Sequence, residues 1–76
     1  MRGRLDIIVD ILEVAENEVN KTSIVYGANL NFKLTEKYLD LLLKHGFMEN
    51  RQDKYIATDK GKTILKKAKD VIQLLG

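Results

Sequence analysis

The stretch between Asn31 and Gly46 constrains this chain more than any other. Over residues 32–45, Lys33, Glu36, Lys37, Asp40 and Lys44 recur at helical spacing on one side, and Phe32, Leu34, Tyr38, Leu39, Leu41, Leu42 and Leu43 cover the other. That spacing predicts an amphipathic helix with a broad buried face. Asn31 can cap its first turn. Gly46 can take the positive φ that ends it. A helix so apolar on one side must pack against something, and a chain of 76 residues leaves little material to supply it.

The chemistry available to this chain is narrow. It has no cysteine and one histidine, His45, which excludes disulfides, thiolate metal sites and His-rich metal sites. The length fits one domain. A domain of roughly 60 residues buries only about 60% of its unfolded surface, so small chains often draw stability from a partner subunit. The longest uncharged apolar run is far short of the ~20 residues of a membrane span. Arg2 and Arg4 begin the chain, but Asp6 and Asp10 interrupt the apolar residues after them, which is no signal-peptide pattern. The expectation is a cytoplasmic protein with no membrane partner. Catalysis has little support: His45 and Ser23 are the only residues of their kinds, no Gly-rich phosphate loop or metal-ligand spacing occurs, and no cofactor is expected. His45, in the last turn of its helix, is expected to be structural. A small-molecule effector is neither supported nor excluded by the sequence.

The rest of the chain reads in order. Residues 4–17 predict a helix with Asp6, Asp10, Glu13 and Asn17 on one narrow polar face. The acids there read as a solvated face. Its apolar arc is wide enough to need burial from more than one side. A polar break comes next, with a short extended piece at Val19. A second helix is expected from Thr22, as its cap, to Ala28. Asn29 suits the turn after it and Leu30 points inward. Residues 47–51 and 54–58 predict a β-hairpin with Gln52-Asp53 at its tip. Thr58 can cap a last helix of about 17 residues, roughly 25 Å long, in which Gly61 is a weak point. There Ile64, Ala68, Val71 and Leu75 are spaced 4, 3, 4, a coiled-coil seam, with Ile72 beside them.

Helix, helix, helix, hairpin, helix is the order of an α+β winged helix-turn-helix. The boundaries divide it into a winged-helix core over residues 1–58 and a dimerisation helix over residues 59–76. The run Lys21-Thr22-Ser23-Ile24-Val25-Tyr26-Gly27-Ala28-Asn29-Leu30-Asn31-Phe32 resembles the turn region of small archaeal winged-helix DNA-binding proteins. That group includes regulators and the ten-kilodalton winged-helix chromatin proteins. Tyr38-Leu39-x-x-Leu42-x-x-x-Gly46-Phe47 and Tyr55-x-x-Thr58-x-x-Gly61 continue the resemblance, which spans roughly residues 4–65. It implies double-stranded DNA binding by a homodimer joined through C-terminal helices in an antiparallel coiled coil. The last helix here is shorter than theirs.

Charge fits a polyanionic partner on one side and an ordinary solvated surface equally well. Residues 1–20 carry two arginines against five acids, residues 21–54 six basic against four acidic groups, and residues 55–76 five lysines against two aspartates. An acidic first helix thus precedes a basic remainder. Asn31, Lys33 and Lys37 sit in the first turns of the expected recognition helix, where Asn can read adenine and Lys can reach guanine or phosphate. Capping is the competing role for Asn31. Glu36 and Asp40 on the same helix either hold the lysines in place or penalise unspecific phosphate contact. Arg51, Gln52 and Lys54 form the wing tip, suited to minor groove or flanking phosphates. Thr22 and Asn29 complete the expected DNA-contacting set. Arg2 and Arg4 are weaker candidates for an arm onto the backbone. Of the tyrosines, Tyr38 and Tyr55 read as core and Tyr26 as a possible phosphate-side contact. Ile64, Ala68, Val71, Ile72 and Leu75 are the expected dimer contacts. The first helix, apolar on many sides, points to the same two-chain packing. The competing reading is a protein-interaction winged helix without DNA binding, which the modest net charge of +2 and the acids on the recognition helix favour.

Overall fold

In the computed structural model, which describes residues 2–76, the chain runs α1 (Arg4–Val14), β1 (Val19–Asn20), α2 (Lys21–Gly27), α3 (Phe32–Lys44), β2 (Met48–Arg51), β3 (Lys54–Ala57) and α4 (Asp59–Leu75). The three strands form an antiparallel sheet in the order β1-β3-β2. This is the winged helix-turn-helix architecture that the residue pattern predicts. Ile11, Leu12, Ile24, Leu39 and Leu42 are fully buried at its centre.

Local chemistry explains most boundaries. Helices α2 and α3 both end in Schellman motifs. After α2, Asn29 takes φ 54°, its N–H bonds the Tyr26 carbonyl at 3.2 Å, and Leu30 N–H bonds the Val25 carbonyl at 2.8 Å. After α3, Gly46 takes φ 74°, its N–H bonds the Leu43 carbonyl at 3.1 Å, and Phe47 N–H bonds the Leu42 carbonyl at 2.9 Å. The Asn31 side chain caps α3 by accepting from Leu34 N–H at 2.7 Å. Thr35, the buried polar residue of this helix, donates to the Asn31 carbonyl at 2.8 Å.

Several boundaries differ from expectation, each for a non-local reason. Helix α1 stops at Val14 rather than at residue 17. The Ala15 carbonyl is taken by Ala57 N–H of β3 at 2.8 Å, and Val19 must turn away to pair with Tyr55. Helix α2 starts one residue before Thr22, and its cap is Asn20, which accepts from Ser23 N–H at 2.8 Å. Thr22 is therefore an exposed residue of the first turn and not the cap. Helix α1 is also covered within one chain. It packs between α2 and α4, and Ile7 and Val9 are buried, so its wide apolar arc needs no second chain. Only Leu5 among its large apolar side chains is exposed.

The joint between hairpin and α4 is tight. Thr58 caps α4 by accepting from Gly61 N–H at 3.0 Å, while its hydroxyl donates to the Gly46 carbonyl at 2.7 Å. A Cβ on Gly61 would lie 2.0 Å from the Phe47 carbonyl oxygen. The glycine in the first turn is thus a close-approach site. Beyond it, Leu65 and Ala68 are buried against the protomer's own core, and Lys69 donates to Glu13 of α1 at 3.1 Å. Ala68, 6% exposed, belongs to this core and not to an outer seam. Ile64 and Ile72 are partly buried. Val71, Leu74 and Leu75 remain 46%, 86% and 83% exposed.

Candidate nucleic-acid interface

Helix α3 buries Thr35, Tyr38, Leu39 and Leu42 and so must turn the opposite arc outward. That arc carries Lys33, Glu36, Lys37 and Asp40, all exposed. Asn31, Lys33 and Lys37 line one shallow depression with Leu34. The Asn31 cap engages Oδ1, which leaves its Nδ2 amine to donate outward. Bidentate reading of adenine asks Oδ1 to accept a second hydrogen bond, from the adenine amine, while it holds the cap.

A second group lies between α2 and the wing. Thr22 and Gln52 line a common groove with Lys21, Asn50 and Asp53. Gln52, the first of two tip residues, has φ 58°, the arrangement of a type II′ turn, where glycine is the usual occupant. Arg51 and Lys54 are paired across the hairpin, one register step from Asn50 and Tyr55. With Tyr55 buried on the inner face, the strand alternation puts Arg51 and Lys54 on the other. Arg51 also pairs with Glu49 at 2.9 Å. The expected contact residues therefore form three groups, α3, the α2–wing groove and the outer face of the hairpin, with Asn29 apart in the turn between α2 and α3.

Two ion pairs at this surface are tertiary and were not legible as pairs in the sequence. Lys21 Nζ donates to Glu36 Oε1 at 2.6 Å, joining the start of α2 to the outer arc of α3. That hydrogen bond holds the Lys21 ammonium pKa above its ordinary 10.5. Glu36 thus does anchor a lysine, but one on another helix. Asp40 and Lys44 are not within ion-pair distance among the described residues. Arg2 is not an arm free for DNA. Its guanidinium pairs with Asp10 at 2.6 Å and donates to the carbonyls of Ala28 and Asn29 at 2.6 and 2.7 Å, bracing the turn before α3. Asn29 keeps its side chain at the surface of that turn. Tyr26 is 74% exposed, while Tyr38 and Tyr55 are buried, as their positions in the pattern imply. His45 caps the end of α3 and stacks on Phe47 at 5.9 Å between ring centres, away from the outer arc. No group of His, Asp or Glu among the described residues could hold a metal ion, and no helix is long and apolar enough to cross a membrane.

Comparison with known proteins bears on this surface. A model of the winged helix-turn-helix family matches residues 1–76. The uncharacterized protein MJ0290 of Methanocaldococcus jannaschii is 36% identical over 75 residues, which cover 97% of this chain but only 36% of that relative. MJ0287 of the same organism is 31% identical over 75 residues, covering 97% of this chain and 77% of its own length. Among solved structures, Sso10a-2, a DNA-binding protein from Sulfolobus solfataricus, superposes with a TM-score of 0.87 at 34% identity, over 96% of this chain and 81% of that one.

Proposed function

The chain belongs to the winged helix-turn-helix family, and from that premise we propose that it binds double-stranded DNA with α3 in the major groove. The observation that carries the reading is the likeness to a DNA-binding protein over 96% of the chain at 34% identity. The outward arc of α3 supports it, because Lys33 and Lys37 stand in the first half of that helix with nothing packed over them. Lys33, Lys37 and the Asn31 amine meet phosphates or base edges. Arg51 and Lys54 reach flanking backbone or minor groove. Thr22, Gln52 and Asn29 contact the sugar–phosphate chain beside them. The role is that of a transcriptional regulator or of a chromatin-type protein in the cytoplasm, since both need the same surface.

The active form is a homodimer joined through the end of α4. Val71 and Leu75 are exposed in one chain, with Ile64 and Ile72 partly so, and Leu74, which the seam spacing does not include, adds to them. Apolar residues exposed in a row mark an interaction site.

Fluorescence anisotropy with mixed-sequence duplex DNA at several salt concentrations tests the reading. The expected result is binding whose log–log salt slope is several units, the mark of phosphate neutralisation. Absence of binding at low salt overturns it. The exposed end of α4 and the acids on α3 then favour a protein-interaction module.

A further inference from the structure

On a surface meant to meet phosphate, Glu36 is out of place. A carboxylate only accepts hydrogen bonds, and beside a phosphate it is repelled. Yet it stands on the outer arc of α3, 59% exposed, between Lys33 and Lys37. Inside the major groove the situation differs. The N4 amine of cytosine is a donor there, and the paired guanine offers O6 and N7 as acceptors. Adenine sets an N7 acceptor beside its amine and so suits a carboxylate less well. One acid flanked by lysines three residues before and one after matches the C·G pair: the acid for cytosine, a lysine for guanine.

The carboxylate is also held in place from outside its own helix. Lys21 Nζ bonds Oε1 at 2.6 Å, and Oε2 has no hydrogen-bond partner among the described residues. The backbone of Lys21 is itself fixed, because it opens α2 directly after Asn20, which caps that helix and pairs with Lys54 of β3. A long side chain with one oxygen anchored and the other free is a pre-set acceptor. We propose that Glu36 is a specificity-determining residue that accepts a hydrogen bond from a cytosine amine in the major groove, with Lys21 as its positioning residue. The inference rests on the DNA-binding reading and goes beyond it, since phosphate binding alone does not use an acid.

Selection of sites from a randomised duplex library tests it, using the wild type, Glu36→Ala, Glu36→Gln and Lys21→Met. The wild type is expected to select cytosine at one position of each half-site. Glu36→Ala loses that preference by about tenfold while its affinity for unrelated duplex rises, because a repelled charge is gone. Glu36→Gln moves the preference from cytosine toward adenine, and Lys21→Met weakens it at the same position. The proposal is overturned if Glu36→Ala selects the same sites as the wild type, which leaves Glu36 a surface ion pair between helices. It is overturned equally if the wild type binds duplex with no base preference. Failure of the DNA-binding reading looks different: no duplex raises the anisotropy of the wild type even at low salt.

Discussion

Gly61 and Gln52 are two residues whose backbones matter as much as their side chains, and they differ in how visible that is. Helix propensity marks Gly61 as a defect in the first turn of α4. In the fold its missing Cβ leaves room for the Phe47 carbonyl oxygen, which would otherwise lie 2.0 Å away. Because the obstacle is backbone, Gly61→Ala is expected to lose about 1–3 kcal/mol, as overpacking does, where propensity alone forecasts a gain. Urea unfolding measures the sign. Gln52 is the reverse case, a residue with a side chain at φ 58°. A positive φ costs a non-glycine residue roughly 1–2 kcal/mol, partly offset in glycine by its greater unfolded-state freedom. Gln52→Gly is therefore expected to raise the thermal midpoint while removing one proposed DNA contact, so a more stable variant binds DNA more weakly. Asn29 and Gly46 were legible in advance because their residue types advertise positive φ. Gly61 and Gln52 were not, since one constraint is tertiary and the other residue type gives no hint.

At the scale of elements, all four helices and the hairpin were readable from spacing and caps, and the misplacements share a cause. Asn20 and Thr22 are both competent caps, and local chemistry does not rank them. Pairing of β1 with β3 puts Asn20 at the end of a strand and so makes it the cap. The 4, 3, 4 spacing in α4 has the same ambiguity. One apolar stripe serves equally as a protomer core or as a seam between chains, and only the position of α1 shows that Ala68 belongs inside. Thr58 was placed correctly, and it does more than cap. Thr58→Ala removes both its bond to Gly61 N–H and its bond to the Gly46 carbonyl. The expected loss is at the upper end of the roughly 0.5–2 kcal/mol for a cap, read by thermal unfolding. The proposed interface is tested element by element as well. Reversing charge at Lys33 or Lys37 on α3, or at Arg51 or Lys54 on the hairpin, is expected to weaken DNA binding and cut the salt slope by about one for each phosphate left without its cation. Unchanged affinity in all four variants excludes this surface. The three-part grouping of these residues was not legible, because it depends on which face of the hairpin each strand residue takes.

The whole molecule measures 37 × 26 × 19 Å and ends in a helix whose last turns lack cover. Sedimentation equilibrium is expected to show a dimer. Leu75→Glu with Val71→Glu is expected to return it to monomer, and the thermal midpoint then stops depending on protein concentration. A dimer unaffected by both changes places the contact elsewhere. The resemblance of the sequence to small archaeal winged-helix proteins implied this pairing, whereas the argument from an uncovered α1 does not survive, because the chain buries that helix itself. The close joint at Gly61 has a consequence for the proposed dimer. With Thr58 bonded to the end of α3 and the Phe47 carbonyl seated against α4, no slack joins wing and helix. In a dimer built on α4, the pair acts as callipers set at one opening. Each base pair added between half-sites moves the second by about 3.4 Å and turns it by roughly 35°, so such a dimer is expected to meet a mismatched spacing by twisting the DNA and not by flexing the protein.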